Sequence, residues 1–540
     1  MIFHLKFYQI NKTIIMKKIL LIVWVLALTS CSKDIVDLND PQNFNEGNYY
    51  SNMNECLEAV AAIYSNLVDP GLDKYFFHAV DAMGQEMSLL TGTEPTQPQF
   101  NNYNVDANNP LNAWIWQSLF RQVWRASFAL EKIEAWQPTL ENENKQKEYM
   151  IGECKFFRAW SYYYLTQLYG DVPMHLSATD IKTKPAKPLS PVAEIERTII
   201  EPELLSAIEL LPGKWESKYL GRITKGAAQT YLAKYYIGAG KFPEAVTQLN
   251  NIINDADAGY TYSTNFYGMF SNDDNRTNPE IIMQTIHDAS DPASLWFYFL
   301  IDYHEKVGKN SYNSKMNYYS RNDMCDFPLT DGAVSNANAN QFVYMLNGAE
   351  YTDPRAALTF YGGTDPDGKT LGAITYKGGS WPYKPYEEGK SNTGYMLKKY
   401  MPFENVSMIS SFGGNCGKNS TVWTRLTDVK LLLAEAKLFS NDIPGAFTLI
   451  NEVRTRPAVG AEPYANAFAN NNEAFRALMK ERYLELSCEQ QHWFDLRRWD
   501  RLGKIDMAAQ VASESGKTLP AGAKTLPIPQ GEKDTNSFIN

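Results

Sequence analysis

The sequence predicts a mainly α-helical protein, a helical frame interrupted by a loop-rich, partly β insertion. Three observations carry that expectation. Apolar residues recur with a 3.6-residue period over long stretches towards both ends of the chain. Two pairs of adjacent helical segments share one placement of small and large residues. Between residues 255 and 424 the texture changes, and Gly, Asn, Asp and Pro break the chain into short runs. A length of 540 residues with 44 % apolar content allows a large core. The balance of 51 Lys and Arg against 61 Asp and Glu argues against nucleic acid as a partner, because phosphate binding needs a basic footprint.

Taken in order, the first element is an address. Lys17 and Lys18 precede ten apolar residues, Ile19–Leu28. That run is too short to span a bilayer and suits the apolar region of a secretory signal. It closes on Leu28-Thr29-Ser30-Cys31, which resembles a bacterial lipobox. The resemblance implies cleavage before Cys31 and lipidation at that residue. Met16 stands directly before the two lysines and offers an alternative start to Met1. Removing residues 1–30 deletes four lysines and no acid, taking the net charge from −10 to −14. The expected product is exported, acidic and held to a membrane by lipid. Residues 31–48, rich in Asp and Asn, read as its tether, and residues 49–540 as one domain.

Within that domain the frame is expected over 49–254 and 425–540, with the ligand-facing insertion between them. Strong helical periodicity falls near 53–68, 111–135, 145–168, 192–211, 222–238 and 243–254, then near 425–438, 444–456 and 472–500. Pro173, Pro212 and Gly240 mark stops between them. Inside the insertion, Leu358–Tyr361 and Ala373–Tyr376 read as strands or loops. The same 170 residues hold 16 of the 33 tyrosines, so the segment presents polar-tipped aromatic rings on irregular backbone.

The paired helices explain how the frame packs. Leu232, Ala233 and Tyr236 precede Gly240, Phe242, Ala245, Leu249 and Ile252; Leu433 and Ala434 precede Ala446, Ile450 and Val453. These offsets match a tetratricopeptide hairpin, in which small Ala lets antiparallel helices approach and larger residues fill the seam. Both pairs keep an Ala-to-Ala spacing of twelve.

Three stretches together resemble the SusD/RagB family of Bacteroidota outer-membrane lipoproteins. One is Arg158-Ala-Trp-Ser-Tyr-Tyr-Tyr-Leu-Thr-Gln-Leu-Tyr-Gly-Asp-Val-Pro173, an aromatic helix broken by a turn. Another is Gly221-Arg-Ile-Thr-Lys-Gly-Ala-Ala228, opening the first helix pair. The last is Lys480-Glu-Arg-Tyr-Leu-Glu-Leu-Ser-Cys-Glu489 with Trp493-Phe-Asp-Leu-Arg-Arg-Trp499, followed by the ending Leu526-Pro-Ile-Pro-Gln530. Gln490 and Gln491 stand where the family pattern has Gly after the Glu489 position. The resemblance implies a SusD-like fold with tetratricopeptide-like pairs and no catalysis. It also implies a lipid-anchored, cell-surface protein that binds oligosaccharide or polysaccharide and delivers it to a SusC-like TonB-dependent transporter. Peptide uptake, as in the RagB branch, is the alternative within the family. A tetratricopeptide-like scaffold without a small ligand is the alternative outside it.

Other motifs have plainer readings. Glu481, Glu485 and Glu489 recur at i, i+4, i+8 and share a helical face. Paired carboxylates are what glycoside hydrolysis requires, but a row of like charges on a helix calls first for cations, with Arg482, Arg497 and Arg498 near in sequence. A structural ion network is the expectation. Gly363-Thr-Asp-Pro-Asp-Gly-Lys-Thr370 matches a phosphate-loop pattern in form, yet Asp365 and Asp367 repel phosphate and Pro366 lacks an amide donor, so it reads as a hairpin turn. His78, His175, His287, His304 and His492 have no ligand spacing, so no metal is expected. Asp273, Asp274 and Asn275 lack the twelve-residue calcium pattern and read as a solvated loop. Cys56, Cys154, Cys325, Cys416 and Cys488 form no C-x-x-C pair and read mostly as buried thiols. No cofactor is expected.

What remains is aromatic. Sugars offer apolar C–H faces, so a Tyr or Trp ring flanked by polar groups is an economical way to hold them. The loop-borne candidates are Phe100, Tyr103, Trp296, Tyr298, Trp381 and Tyr383. Trp114, Trp116, Trp124, Trp160, Trp493 and Trp499 fall on periodic helices and read as core. Trp381, between Gly379-Ser380 and Pro382, is the leading choice, since a ring held on a stiff turn loses little entropy on binding.

Overall fold

The computed structural model describes residues 49–86, 96, 98–266, 268–271, 275–286, 342–362, 375–376, 379–380, 395–397, 399 and 420–539. Residues 1–48, where the signal segment, the lipidated Cys31 and the tether are expected, lie outside the described residues. The principal helices are α1 (Met53–Ser65), α2 (Phe76–Met83), α3 (Pro110–Ala135), α4 (Glu141–Tyr169), α5 (Glu201–Leu210), α6 (Lys225–Gly238) and α7 (Phe242–Ile253). After the strand-bearing middle come α8 (Leu426–Phe439), α9 (Ile443–Thr455), α10 (Asn471–Leu486) and α11 (His492–Arg501). No described helix is long and apolar enough to cross a membrane.

Local chemistry accounts for the starts. Asn109 Oδ1 accepts the N–H groups of Leu111 and Asn112, each at 3.0 Å, and Pro110 opens α3 where no N–H is needed. Asn52 and Asn470 cap α1 and α10 in the same way. The 29 residues of α4 end at Gly170, whose φ of 77° lets the chain leave the helix into the Asp-Val-Pro turn. From Met150 onward almost every side chain of α4 is buried, so it runs through the middle of the frame. Trp160 lies edge-on to Tyr164 at 4.9 Å and to Trp423 at 5.1 Å.

Both predicted helix pairs form. Ala233 and Ala245 are fully buried between α6 and α7, and Ala434 and Ala446 between α8 and α9. The second hairpin packs on the first through α7 and α8. The segment predicted over 192–211 is interrupted by a π-type turn, Glu196–Ile200, before α5. Pro202 supplies no N–H to the helix, and the widened turn upstream absorbs the misfit.

Three readings are corrected. The helix expected over 472–500 is broken at 487–491, where Cys488 and Gln490 take left-handed φ values of 58° and 57°. Gln490 thus adopts the conformation that glycine would adopt most easily. Leu358 belongs to a helical turn, Arg355–Thr359, with a strand only from Phe360 to Gly362; Thr375–Tyr376 is a strand. Trp124 is 43 % exposed on the outer face of α3, stacked on Phe128, while Trp116, Trp160, Trp493 and Trp499 are core.

The middle of the chain is pinned by an antiparallel ladder. Ile281–Thr285 pairs with Thr421–Arg425, both fully buried, so the two ends of the intervening segment leave the frame side by side. A smaller core including Phe266, Phe270, Ile281, Phe342 and Val422 sits under it, apart from the main helical core.

Close packing in the frame gives a direct test. A Cβ on Gly71 would stand 2.6 Å from the Trp114 carbonyl oxygen and against the Ser118 side chain. Gly71→Ala is therefore expected to destabilise the protein by about 1–3 kcal/mol, read as a lower urea midpoint with an unchanged slope.

Candidate functional site

Of the six aromatic candidates, Phe100 and Tyr103 are described. They line one wall of a cleft of about 280 Å³, with Met83 and Val105 beside them and Pro520–Pro527 opposite. Phe100 sits on a short helix, Pro98–Asn101, and Tyr103 follows it at a φ of 54°. Polar contacts fix this corner. The Tyr103 hydroxyl donates to the Met83 carbonyl at 2.7 Å, and Gln85 Nε2 donates to the carbonyls of Ala82 and Asn101. Phe100 is 1 % and Tyr103 6 % exposed, and the Tyr103 ring stacks on Trp493. They form a recessed wall, offering carbon surface to the cleft.

The opposite wall is the chain's last segment. Leu526 N–H donates to the Leu168 carbonyl at 2.7 Å, Asn112 Nδ2 to the Pro527 carbonyl at 2.8 Å, and Gln530 N–H to the Ala107 carbonyl at 2.8 Å. The Leu526-Pro-Ile-Pro-Gln530 ending is thus tied to α3 and α4. Its prolines leave few amides to satisfy there. Trp296, Tyr298, Trp381 and Tyr383 lie outside the described residues.

The carboxylate row is an ion network. Glu481 and Glu485 are fully buried and Glu489 nearly so. Arg355 binds Glu481 at 2.6 Å, Glu485 at 3.1 Å and Asp353 at 2.8 Å. Arg425 binds Glu485 at 2.9 Å, Glu489 at 2.8 Å and Glu280 at 2.7 Å. Arg454 pairs with Glu481 at 2.7 Å, Lys399 with Glu489 at 2.6 Å, and Arg456 with Glu485. Although burial opposes ionisation, the surrounding Arg456, Arg425 and Arg355 hold the Glu485 carboxyl well below its usual range. A carboxylate with no solvent contact and several cations on it is neither an available acid nor a base.

The cations near in sequence serve elsewhere. Arg482 binds Asp495 at 2.7 Å and Asp428 at 3.0 Å; Arg498 binds Glu435 at 2.7 Å and Asp495 at 2.8 Å. Arg497 reaches the Lys524 carbonyl at 2.5 Å. The actual counter-charges come from residues 355, 399, 425, 454 and 456, spread across elements that no local pattern links.

Beside this network lies the 487–491 turn. Glu86 accepts the Cys488 N–H at 3.0 Å and Asp81 accepts the Gln490 N–H at 2.9 Å. Burial pushes the Asp81 carboxyl up to about 7 and that of Glu86 well above its usual range. Asn275 is structural, exchanging hydrogen bonds with the Ser420 backbone at 2.8 and 3.1 Å; Asp273 and Asp274 lie outside the described residues, as does the Gly363–Thr370 run. No cluster of metal-ligating side chains occurs among the described residues. His492 Nε2 lies 2.9 Å from Glu514; His287 and His304 are outside. Cys56 and Cys154 are buried thiols, and burial pushes Cys56 up to about 11. Cys325 and Cys416 are outside.

The described residues thus form a mainly helical frame with paired tetratricopeptide-like hairpins and a buried ion network. Residues 213–537 match the SusD family model, and residues 38–237 match a second model described as starch-binding associating with outer membrane. The chain belongs to the SusD family, which is a family of non-catalytic binding proteins. It is 23 % identical over 510 residues to a SusD-like protein of Bacteroides ovatus, covering 90 % of this chain and 83 % of that one. It is also 23 % identical over 429 residues to SusD-like protein P2 of Formosa agariphila, covering 75 % of each. Among solved structures, a SusD superfamily protein from Bacteroides vulgatus superposes with a TM-score of 0.69 at 19 % identity, over 91 % of this chain and 98 % of the other. A surface glycan-binding protein A from Bacteroides uniformis gives 0.66 at 18 %, over 90 % and 98 %. A laminarin binding SusD-like protein gives 0.64 at 20 %, over 90 % and 98 %. These likenesses establish the fold.

Proposed function

We propose that this protein binds an oligosaccharide or polysaccharide at the cell surface without cleaving it, and passes it to a SusC-like TonB-dependent transporter. The observation that carries the reading is the pair of family matches, which together run from residue 38 to residue 537, one of them described as starch-binding and outer-membrane-associated. Relatives of the same fold whose names state laminarin or surface-glycan binding add weight to it. The lipobox-like Leu28–Cys31 supplies the anchor in this reading, with Cys31 carrying the lipid. Binding rests on ring stacking, with Trp381, Tyr383, Trp296 and Tyr298 of the tyrosine-rich segment as contacts, while the nearly buried Phe100 and Tyr103 supply edges of the recessed wall and not stacking faces.

Stacking of this kind gives modest affinity and quick release, which suits a protein that must give its ligand away. Trp381→Ala is expected to weaken glycan binding at least tenfold while leaving thermal unfolding unchanged. Titration calorimetry with the bound glycan checks this; equal affinity for variant and parent removes Trp381 from the site.

A further inference from the structure

A second cavity, of about 300 Å³, shares no lining residue with the aromatic cleft and lies where α4, α6 and α11 meet the segment Val192–Glu196. Its walls are the rings of Tyr163, Tyr235 and Phe494, and its rim carries Gln167, Arg497 and Arg501. Most charge here is already matched. Arg501 makes a two-point pair with Glu196 at 2.7 and 3.0 Å, Arg498 is held by Glu435 and Asp495, and Lys234 by Asp428 at 2.8 Å.

Two groups are left over. The Arg497 guanidinium donates to the Lys524 carbonyl, and no carboxylate among the described residues lies within ion-pair distance of it. Its nearest candidate, Asp500, is taken by Lys524 at 2.6 Å. Burial and the neighbouring Arg501 bring Arg497 down to about 10, against which the more distant Asp500 charge offers only part of an answer. The second group is the Tyr163 hydroxyl. The residue is 7 % exposed and lines the cavity, its hydroxyl has no hydrogen-bond partner among the described residues, and it sits in the field of Arg497, Arg498 and Arg501. A phenol hydroxyl that opens into a concave site, bonded to nothing among the described residues and set between guanidinium groups and the carboxylates that already pair with them, is a donor free for a further acceptor.

We infer that this cavity is a binding site for a carboxylate carried on a small molecule, with Arg497 pairing the anion, the Tyr163 hydroxyl donating to it and the Tyr163, Tyr235 and Phe494 rings enclosing its body. A planar carboxylate matches the guanidinium fork, and a volume of about 300 Å³ takes one sugar-sized unit. The carboxylate could be that of a uronic acid or of a peptide C-terminus; both present the same group to Arg497.

The test is calorimetry on the full chain in detergent with glucuronate, glucose, dialanine and dialanine amide, both dialanine compounds N-acetylated so that the carboxylate is the only charge compared, at low and high salt. Saturable binding of glucuronate or dialanine, with at least tenfold weaker binding of its uncharged counterpart, is the expected result. Glucuronate alone would mark a sugar acid as the source, dialanine alone a peptide end. Arg497→Gln should weaken that binding at least tenfold. Tyr163→Phe, which removes a hydroxyl that bonds to nothing in the protein, should weaken it severalfold with the unfolding midpoint unmoved. Neutral glycan binding should be the same in both variants and the parent, which keeps this site distinguishable from the aromatic one. Absence of binding by both carboxylates, equal binding of the uncharged counterparts, or indifference to both substitutions overturns the assignment.

Discussion

Glu485→Ala is expected to destabilise this protein by about 3–5 kcal/mol, far more than the loss of one packed side chain of its size on a surface. Glu485 is fully buried and answers Arg355, Arg425 and Arg456 at once. Removing it leaves three guanidinium groups, each at most 5 % exposed, with positive charge that the remaining acids only partly balance. Water cannot reach them to compensate. The cost also spreads, because Arg425, at the end of the Thr421–Arg425 strand, joins the ladder to α10 through Glu485 itself, and only Glu280 and Glu489 remain to hold it. Glu485→Gln keeps the shape and one acceptor but not the charge, and should fall between the two. Urea unfolding of both variants checks this. A loss under about 1 kcal/mol for Glu485→Ala would show that the network relaxes around the gap, contrary to its rigid packing.

Asp81→Asn is expected to act in the opposite direction, with an effect that grows as pH rises from about 4 to about 7 and stays at its full size above that. The Asp81 carboxyl lies at about 7 in the folded protein against an ordinary 3.8, chiefly because burial disfavours its charge. The groups facing it are Glu86, Glu489, Lys399 and the Gln490 amide, and Lys399 is already committed to Glu489 at 2.6 Å. A folded value raised above the unfolded one means that the folded state holds its proton longer. The stability this group contributes is therefore fully present below pH 3.8 and is lost as pH rises to about 7. The gap corresponds to on the order of 4 kcal/mol when the loss is complete. Asn cannot ionise, and its side-chain oxygen still accepts the Gln490 N–H. The variant and the parent should unfold alike near pH 4, and the variant should be the more stable by pH 8. A difference that stays constant across that range would contradict the account.

What could be read from sequence followed the range of the interactions. The helix pairs were legible because Ala233 and Ala245, or Ala434 and Ala446, lie twelve residues apart and meet across one hairpin. The Glu481, Glu485, Glu489 row was legible as a structural network for the same local reason, while its partners were not. Arg355 stands 126 residues from Glu481, and nothing near Glu481 announces it. The break after Leu486 was hidden by a periodicity that continues through it; the carboxylates that satisfy its freed amides come from Asp81 and Glu86, about 400 residues earlier. Trp124 shows the limit of the helical pattern, since it lies on a periodic helix yet faces outward on α3. At the aromatic wall, sequence picked Phe100 and Tyr103 as loop-borne rings, whereas their recess follows from Met83, Trp493 and the 520–527 segment. The cavity beside Arg497 had no sequence signal, because its rings and cations come from three elements far apart in the chain.

The central claim, non-catalytic glycan binding, is most directly tested by titration calorimetry on soluble protein lacking residues 1–31. The panel would hold starch-type and laminarin oligosaccharides, plant, host and microbial glycans, and mixed peptides, with each mixture analysed afterwards for products. Saturable binding of at least one glycan, recovered intact, is the predicted result. Release of shortened products would contradict the non-catalytic reading, and saturable binding confined to peptides would contradict the glycan reading.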